Sequence, residues 1–313
     1  MNVLVTAISG NVGNGILKCM QESGQRLFGS DISDFPVGAD KVEKCFKVPF
    51  AKDKDYISTL FDICDTHNID VLIPVNEEEI KKVSEARNLF YDRKVKLMIQ
   101  DETILQICMD KYDLSKYLAS NSIVAPETFL SNNFAPDGRE YIAKLRNSSG
   151  SKIVEKFNTE KELEEILKMS DNEFIIQEYI PSSDSEYTVG VFSDGKTVRS
   201  MIFRRKLLNG YTNYVELIKD DSISELAEKV ARFLNLRGCI NIQLRKNNNQ
   251  NYIFEINPRI SGTVFFRHLL GFTDVLWWMQ YIKNDPIERY ELLYNKAIGV
   301  REMTEKYLLL SPH

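Results

Sequence analysis

The sequence is poor in the residues on which several common kinds of site depend. It contains three histidines and five cysteines among 313 residues. So few histidines leave little material for a Ser-His-Asp triad or a histidine-based metal site. The cysteines show no C-x-x-C spacing, which argues against zinc and disulfide frameworks and indicates reduced thiols. They are Cys19, Cys45, Cys64, Cys108 and Cys239.

Long apolar runs and an excess of positive charge are lacking as well. No stretch approaches the roughly 18 apolar residues that a membrane-spanning helix needs. The net charge of −5 is opposite in sign to the basic footprint of nucleic-acid-binding proteins. The opening residues, MNVLVTAISG, read as a buried strand and not as a signal peptide. We therefore expect a cytoplasmic protein that binds neither membranes nor nucleic acid.

Short apolar runs alternate with amphipathic stretches through the first hundred residues. Apolar strands are predicted at 3–8, 26–32, 70–76 and 94–100, with helical segments between them. Continuous apolar strands joined by helices are typical of a parallel sheet covered on both faces. The sequence predicts a doubly wound, Rossmann-like α/β domain over residues 1–100.

The pattern changes after residue 100, where β-prone runs dominate and helices are inserted among them. Two capping boxes, T-x-x-E at 159–162 and S-x-x-E at 222–225, are predicted to begin helices. This region reads as α+β. We divide it into a domain over 101–180, with its linker helices, and a C-terminal domain over 181–313.

A glycine-rich turn, SGNVGNG at 9–15, follows the first strand and opens a helix, and Asp31 ends the second strand. The arrangement is like a dinucleotide site, but the spacing is G-x-x-G-x-G and does not meet the G-x-G-x-x-G fingerprint. An NAD(P)-dependent oxidoreductase is kept as an alternative on this ground. The turn is either structural or an anion cradle for a substrate. Asn76 and Glu77, at the carboxyl end of the third strand, are substrate-side candidates.

The most informative stretch is a polar hairpin at 238–259. Its N-N-N-Q turn predicts antiparallel pairs between Gln243 and Glu255 and between Asn241 and Asn257. Alternation along each strand puts these four oxygen-bearing side chains on one face. Hard oxygen ligands of this kind suit Mg²⁺. The spacing alone fits equally well with the solvent-facing side of an amphipathic hairpin.

Together, GCINIQL at 238–244 and IFEINPR at 253–259 resemble the ATP-grasp module of carbamoyl-phosphate-synthase large chains and related carboxylate–amine ligases. The resemblance implies an α+β ATP-grasp region that binds ATP with Mg²⁺ or Mn²⁺. It also implies that Arg259 stabilises the charge on a transferring phosphoryl group or an acyl phosphate. In that family, residues of this motif hold the magnesium ions that bridge the ATP phosphates. The resemblance therefore implies three metal ligands, Gln243, Glu255 and Asn257.

Two lysines match family positions near the ATP phosphates. Lys111 follows an aspartate ahead of a helix, and Lys144 precedes a loop that contains Ser149 and Gly150. The resemblance implies that both ammonium groups neutralise phosphate charge and that the small loop residues approach phosphate oxygens. The sequence departs from many members at Leu145, where a proline and several nearby glycines are usual.

The segment IIQEYIPSSDSEY resembles the hinge beneath the adenine ring in the same family. It implies that Glu178 and the backbone of Tyr179 and Ile180 receive the base. Glu186 would accept hydrogen bonds from the ribose hydroxyls.

Three consecutive cations at 204–206 form a further candidate cluster. The family carries a basic residue near the phosphates in this region. One of the three is expected to face the site and the others solvent, and the sequence does not decide which. Strand alternation separates Arg205 from Arg204 and Lys206, and Arg205 is named with Arg259 as the catalytic candidate.

The resemblance implies an ATP- and Mg²⁺-dependent ligase that activates a small carboxylate as an acyl phosphate and joins it to an amine. A non-catalytic or regulatory ATP-binding protein on the same fold is the other alternative. The sequence does not identify the carboxylate or the amine. A homodimer is compatible with the sequence, which carries no signal for or against it.

Overall fold

The computed structural model describes residues 1–147, 154–181, 186–208 and 211–302. Three sheets follow one another along the chain, the first parallel and the other two antiparallel. The predicted fold class, α/β followed by α+β, is confirmed. None of the helices within the described ranges is long and apolar enough to cross a membrane.

The first sheet is covered on both faces. Val3 and Val5 belong to one core cluster, while Leu4 between them belongs to another. The predicted strand at 94–100 forms pairs only at Lys96–Leu97. The strands are β1 (Asn2–Val5), β2 (Arg26–Asp31), β3 (Lys44–Lys47), β4 (Val71–Ile73) and β5 (Lys96–Leu97). The helices of this domain are α1 (Asn11–Met20), α2 (Tyr56–His67), α3 (Glu77–Glu85) and α4 (Arg87–Asp92), with a short 3₁₀ turn at Ala39–Lys41.

The strand order of the first sheet is β3-β2-β1-β4-β5. From β1 the chain continues to β2 on one side of the sheet, and from β4 it continues to β5 on the other side. Ligands bind at such a switch point in open α/β sheets. Helix α1 starts there. A Cβ on its Gly13 would collide with the carbonyl of Ala7, and one on Gly15 would lie 2.6 Å from a methyl carbon of Val264. Close packing thus accounts for these two glycines of the 9–15 turn.

Two helices lead into the second sheet, whose strand order is β6-β9-β7-β8. The predicted capping box at its helix is confirmed, because Thr159 and Glu162 each bond the other's backbone N–H. The linking helices are α5 (Glu102–Met109) and α6 (Lys111–Ser120). The sheet comprises β6 (Thr128–Leu130), β7 (Tyr141–Leu145), β8 (Val154–Phe157) and β9 (Phe174–Glu178), with a 3₁₀ turn at Ser131–Asn133 and helix α7 (Glu160–Leu167).

The third sheet has six strands in the order β14-β13-β10-β11-β12-β15. Its strands are β10 (Glu186–Asp194), β11 (Val198–Leu208), β12 (Tyr211–Ile218), β13 (Arg237–Asn247), β14 (Gln250–Asn257) and β15 (Ile298–Val300). Its helices are α8 (Asp221–Phe233), α9 (Val264–Leu269) and α10 (Asp274–Lys283). Helix α8 packs on one face, and α9 and α10 pack on the other, in a core shared with the first domain.

The capping box predicted at 222–225 is wrong. Asp220 caps α8 instead, because its backbone is extended and its carboxylate accepts a hydrogen bond from the N–H of Ile223 at 3.2 Å. The same carboxylate binds Lys246 at 2.5 Å. The helix consequently begins at Asp221, earlier than the serine–glutamate spacing predicts.

A buried ion pair anchors the loop that follows β14. Arg267 and Asp274 are each 1% exposed, and two guanidinium nitrogens contact one carboxylate oxygen at 2.5 and 3.1 Å. The third nitrogen donates to the hydroxyls of Ser261 and Thr263 at 2.8 and 2.6 Å. On β10, Gly190 leaves room for this arginine, since a Cβ there would lie 2.5 Å from Nε. The loop is thereby tied to α9, α10 and β10.

We predict that Asp274→Ala lowers the free energy of unfolding by about 3–5 kcal/mol, because it leaves a buried guanidinium without its counter-charge. Urea unfolding followed by circular dichroism measures the change. Glu228→Ala is the matched control, since it removes an exposed pair with Arg232 on α8 and should cost no more than about 1 kcal/mol. Equal losses in the two variants would contradict the structural role of the buried pair.

Candidate active site

A cleft of about 560 Å³ lies where the three sheets meet. The loops after β1 and β4 contribute Ala7 and Asn76, and the second sheet contributes Lys144. The third sheet contributes Arg205 and Glu255. The switch point of the first sheet and the polar hairpin thus face the same space.

The register of the hairpin is as predicted. Gln243 pairs with Glu255 and Asn241 pairs with Asn257. All four side chains line the cleft. Asn241 is 2% exposed and accepts a hydrogen bond from Thr188 at 2.8 Å, so its carbonyl oxygen already has a donor within the sheet.

A β-bulge interrupts the hairpin immediately after these pairs. Leu244 pairs with Ile253, which leaves Phe254 without a partner across the hairpin. The carbonyl of Phe254 accepts a hydrogen bond from Nζ of Lys144 at 3.4 Å. The bulge therefore joins the third sheet to the second at the centre of the cleft. The alternation pattern did not reveal it.

The predicted metal ligands differ in how free they are. In the part of the chain that the structure describes, the Glu255 carboxylate accepts no hydrogen bond. The side-chain oxygen of Gln243 accepts from Arg205 at 2.9 Å, and that of Asn257 accepts from Arg259 at 3.4 Å. Within the described ranges no cluster of three His, Cys, Asp or Glu side chains is present. One free carboxylate and two amides suit Mg²⁺, because this ion completes its coordination shell with water and substrate phosphates. They are too few to coordinate a metal ion through protein ligands alone.

Of the three consecutive cations, Arg205 reaches the cleft. Its Nη2 contacts Glu186 at 3.1 Å and Gln243 at 2.9 Å. Arg204 contacts Glu216, which does not line the cleft. Strand alternation thus separates the two arginines as the sequence predicts.

Glu186 lies between two arginines. Besides Arg205, it accepts from Nη2 of Arg245 at 3.1 Å. Sequence reasoning missed Arg245, although it lies two residues beyond Gln243 on the same strand. The period-2 pattern that selected Gln243 could have found it.

Lys144 is 7% exposed, and its Nζ donates to the side-chain carbonyl of Gln177 at 2.8 Å. The pKa of Lys144 is lowered to about 8, chiefly by burial; the negative charge of Glu255 opposes the shift, and the positive charges of Lys111 and Arg245 add to it. A buried ammonium without a carboxylate contact is costly. It is also well placed to receive a polyanion.

The aspartate of the predicted D-K pair has a structural role. Asp110 caps α6 by accepting from two backbone N–H groups of the first turn, and it also binds Arg146 at 2.8 Å. This cap begins the helix at Lys111, which is 8% exposed and lines the cleft, with its Nζ 3.4 Å from the Arg146 carbonyl. The predicted loop residues Ser149 and Gly150 lie outside the described residues.

The predicted hinge follows β9, and both Glu178 and Ile180 line the cleft. The backbone N–H of Tyr179 donates to the carbonyl of Glu140 at 3.1 Å, so it already has an acceptor. The carbonyl of Ile180 accepts from Arg245 at 3.1 Å. Among the described residues, none accepts a hydrogen bond from the Ile180 N–H, which leaves that group for a ligand.

Arg259 connects the hairpin to the first domain. Its Nη2 is 3.4 Å from Glu77, the first residue of α3. Burial raises the pKa of Glu77, and the charge of Arg259 opposes the shift. The preceding residue, Asn76, forms a capping box with Glu79, which stabilises this helix start.

Asp31 does not match the acid of a dinucleotide site. It is 5% exposed and accepts from the backbone N–H groups of Ser9 and Ser33 at 2.8 and 3.0 Å. Its carboxylate therefore fixes the loop after β1. The close packing of Gly13 and Gly15 explains the glycine spacing without a ligand, which removes the basis of the oxidoreductase alternative.

Family comparisons agree with the site geometry. Residues 108–263 match the model of the ATP-grasp domain, and residues 3–98 match the PylC-like N-terminal domain. The chain belongs to the ATP-grasp superfamily. Its cleft, with the hairpin on one side and the front-domain loops on the other, is thus the candidate active site of an ATP-grasp protein.

Several known ligases and synthetases are similar to this chain. Tyramine–L-glutamate ligase from Methanocaldococcus jannaschii is 25% identical over 224 residues, a match that covers 70% of this chain and 65% of that enzyme. An L-amino acid ligase from Bacillus licheniformis superposes with a TM-score of 0.74 at 16% identity, covering 90% of this chain and 74% of that one. N5-carboxyaminoimidazole synthetase from Staphylococcus aureus, complexed with ADP, gives 0.76 at 16% identity, covering 95% and 81%. These structural likenesses show the fold.

If the ADP phosphates bind beside Lys144, they raise its pKa from about 8, because an anion favours the charged form. At about pH 8.5 the free lysine is mostly neutral, so binding takes up roughly half a proton or more; at about pH 6.5 it is already charged and the uptake vanishes. Affinity for ADP with Mg²⁺ consequently falls as pH rises through this range. Calorimetry in two buffers of different ionisation enthalpy measures the protons.

Lys144→Gln should lose this uptake, while Lys283→Gln, which removes an exposed cation paired with Asp285, should keep it. The lysine contribution is the difference between wild type and Lys144→Gln, which cancels the protons of the nucleotide itself. Equal uptake in wild type and Lys144→Gln at the higher pH would exclude Lys144 from the phosphate site.

Proposed function

We propose that this ATP-grasp protein is an ADP-forming ligase that activates a small carboxylate with ATP and joins it to an amine. The observation that carries the proposal is the composition of the cleft. Two buried lysines and four arginines line it together with Glu255, a carboxylate that accepts no hydrogen bond from a described residue, beside the switch point of the front domain. A polyphosphate with a divalent cation is the ligand whose charges such a set balances.

The nucleotide end is assigned to the groups that join the second and third sheets. Ile180 supplies a backbone N–H and Glu178 an adjacent carboxylate for the base. Glu186 is the acceptor for ribose hydroxyls, and its two arginines hold it in place. Lys144 and Lys111 lie where the phosphates would extend from this hinge toward Glu255.

The metal assignment follows how far each oxygen is already engaged within the protein. Glu255 would be the principal ligand and Asn257 a second, while Gln243 would either bind the ion or orient Arg205, to which it is already bonded. Mg²⁺ held there neutralises phosphate charge when ATP is bound. Mn²⁺ accepts the same oxygen donors.

The chemistry proposed for the protein residues is positioning and charge stabilisation. An oxygen of the substrate carboxylate attacks the γ-phosphorus, the bond to the ADP oxygen breaks, and an acyl phosphate forms. The amine nitrogen then attacks the acyl carbon, phosphate leaves and the amine loses a proton. Arg205 and Arg259 stabilise the charge on the transferring group, an effect that preorganised donors achieve without reorganisation.

The substrate class is proposed from the named relatives. One acts on tyramine and L-glutamate, and another is an L-amino acid ligase. We therefore take amino acids as the first carboxylates to test, L-glutamate ahead of the others, and small primary amines including tyramine as acceptors.

The test is the release of ADP and phosphate with Mg²⁺ and ATP against this panel, with product detection by mass spectrometry. Release that requires both acid and amine establishes the ligase. ADP binding without release in any combination supports the regulatory alternative. Absence of nucleotide binding contradicts the proposal outright.

We predict that Glu255→Ala lowers turnover by at least about 100-fold, since it removes the principal ligand of the cation that would stabilise the transferring charge, and loss of such stabilisation typically costs this much. Glu216→Ala is the control: it removes a carboxylate of the same sheet that pairs with Arg204 outside the cleft. The control should stay within a few-fold of wild type by the same assay. Similar losses in both variants would mean that Glu255 has no special role.

A further inference from the structure

One arginine of the cleft is not balanced by an acid. Arg205 and Arg245 share Glu186, and Arg259 contacts Glu77. Arg301, which follows β15, makes no ion pair with a carboxylate anywhere in the described ranges. Among the described residues, therefore, no carboxylate balances the charge of this guanidinium.

Neutral groups hold Arg301 in a fixed position. Its Nε donates to the carbonyl of Thr212 at 3.0 Å and its Nη2 to the carbonyl of Gly262 at 2.7 Å. The guanidinium carbon lies 5.2 Å from the ring centre of Phe266. The backbone N–H of Arg301 donates to Asn213 at 2.8 Å. These contacts orient the side chain without compensating its charge, and burial lowers its pKa.

Arg301 is bonded to the same loop as Arg259. Its Nη2 donates to the carbonyl of Gly262, in the loop after β14 that also carries Arg259. Arg259 in turn reaches Glu77 of the front domain. The nucleotide groups assigned above, by contrast, are linked through Lys144 and the bulged Phe254. Arg301 is thus connected to the front domain through this loop, by contacts separate from those of the nucleotide groups.

Open space adjoins this arginine. Gly262 lines the cleft, and a Cβ built on it would have no atom within 4 Å. The backbone there does not require glycine, since its φ is not in the left-handed region. A side chain at this position would extend into free volume, so the empty volume is available to a ligand bound beside Arg301.

We propose that Arg301 binds a second carboxylate of the acid substrate, one that is not activated. The substrate class is then a diacid or an acidic amino acid, one carboxylate of which reaches the phosphates while the other binds this guanidinium. A single charge with two of its nitrogens already bonded to carbonyls matches a monoanionic carboxylate. A phosphate dianion would need further cations. The proposal rests on the ligase function proposed above.

The test uses two pairs of probes that differ by one carboxylate: L-glutamate with 4-aminobutyrate, and L-aspartate with β-alanine. Calorimetric titrations are run on the full chain with and without ADP and Mg²⁺, so turnover is not required. Wild type should bind at least one diacid about 10- to 150-fold more tightly than its partner, the range expected for hydrogen bonds to a charged group. Arg301→Gln should remove this preference, and Arg301→Lys should restore part of it.

Two further variants separate recognition from folding. Gly262→Ala should keep the wild-type melting temperature, because its Cβ meets open space, yet weaken diacid binding. Arg289→Gln removes an arginine whose side chain is 89% exposed and should leave every affinity unchanged. Affinity for ADP with Mg²⁺ should be the same in all four variants.

The proposal is overturned if wild type binds neither diacid more tightly than its partner. It is also overturned if Arg301→Gln, shown to be folded by circular dichroism, keeps the preference. Failure of the ligase function has a different signature, namely no ADP release with any acid and amine. A diacid preference that depends on Arg301 can be observed in either case.

Discussion

The cleft depends on how the loop between β14 and α9 is held. In that loop, Arg259 contacts Glu77 and the carbonyl of Gly262 accepts a hydrogen bond from Arg301. The loop itself forms neither helix nor strand. The buried pair of Arg267 and Asp274 supplies the anchor, with Gly190 leaving room for the guanidinium. Because a buried ion pair is costly to break but not strongly stabilising as a whole, its evident consequence here is the fixed position of the loop.

Charge is the second constraint on the site. The cleft brings Lys111 and Lys144 together in a buried setting, and burial moves the pKa of Lys144 to about 8. Near this pH, loss of the proton relieves part of the cost of burying this ammonium group. A polyanion restores the charged form, so nucleotide binding and protonation are linked. Arg301 differs from Lys144, because a guanidinium does not lose its proton in the physiological range. Its charge is therefore balanced by an anionic ligand and not by deprotonation.

Much of the hairpin could be predicted because strand pairing has few degrees of freedom. Once a turn is located, alternation decides which side chains share a face, and this placed Gln243 opposite Glu255. On β11, alternation separated Arg205 from Arg204 and Lys206, but only the folded structure shows that Arg205 reaches the cleft. The bulge at Phe254 could not be predicted, since an inserted residue leaves no mark in a polar–apolar pattern. The cap of α8 was misplaced because Asp220 and Ser222 are both good N-cap residues.

Arg301 was out of reach of sequence reasoning for a different reason. Its hydrogen-bond partners Thr212 and Gly262 are 89 and 39 residues distant in sequence. No local sequence motif therefore predicts these two contacts. Family resemblance did not point to it either, because the motifs that carried the resemblance concern ATP and not the acid or the amine. Residues that select the acid or the amine must differ between such enzymes. They are therefore expected to lie outside shared motifs, on segments such as the one after β15, and charge balance in the folded cleft is the criterion that finds them.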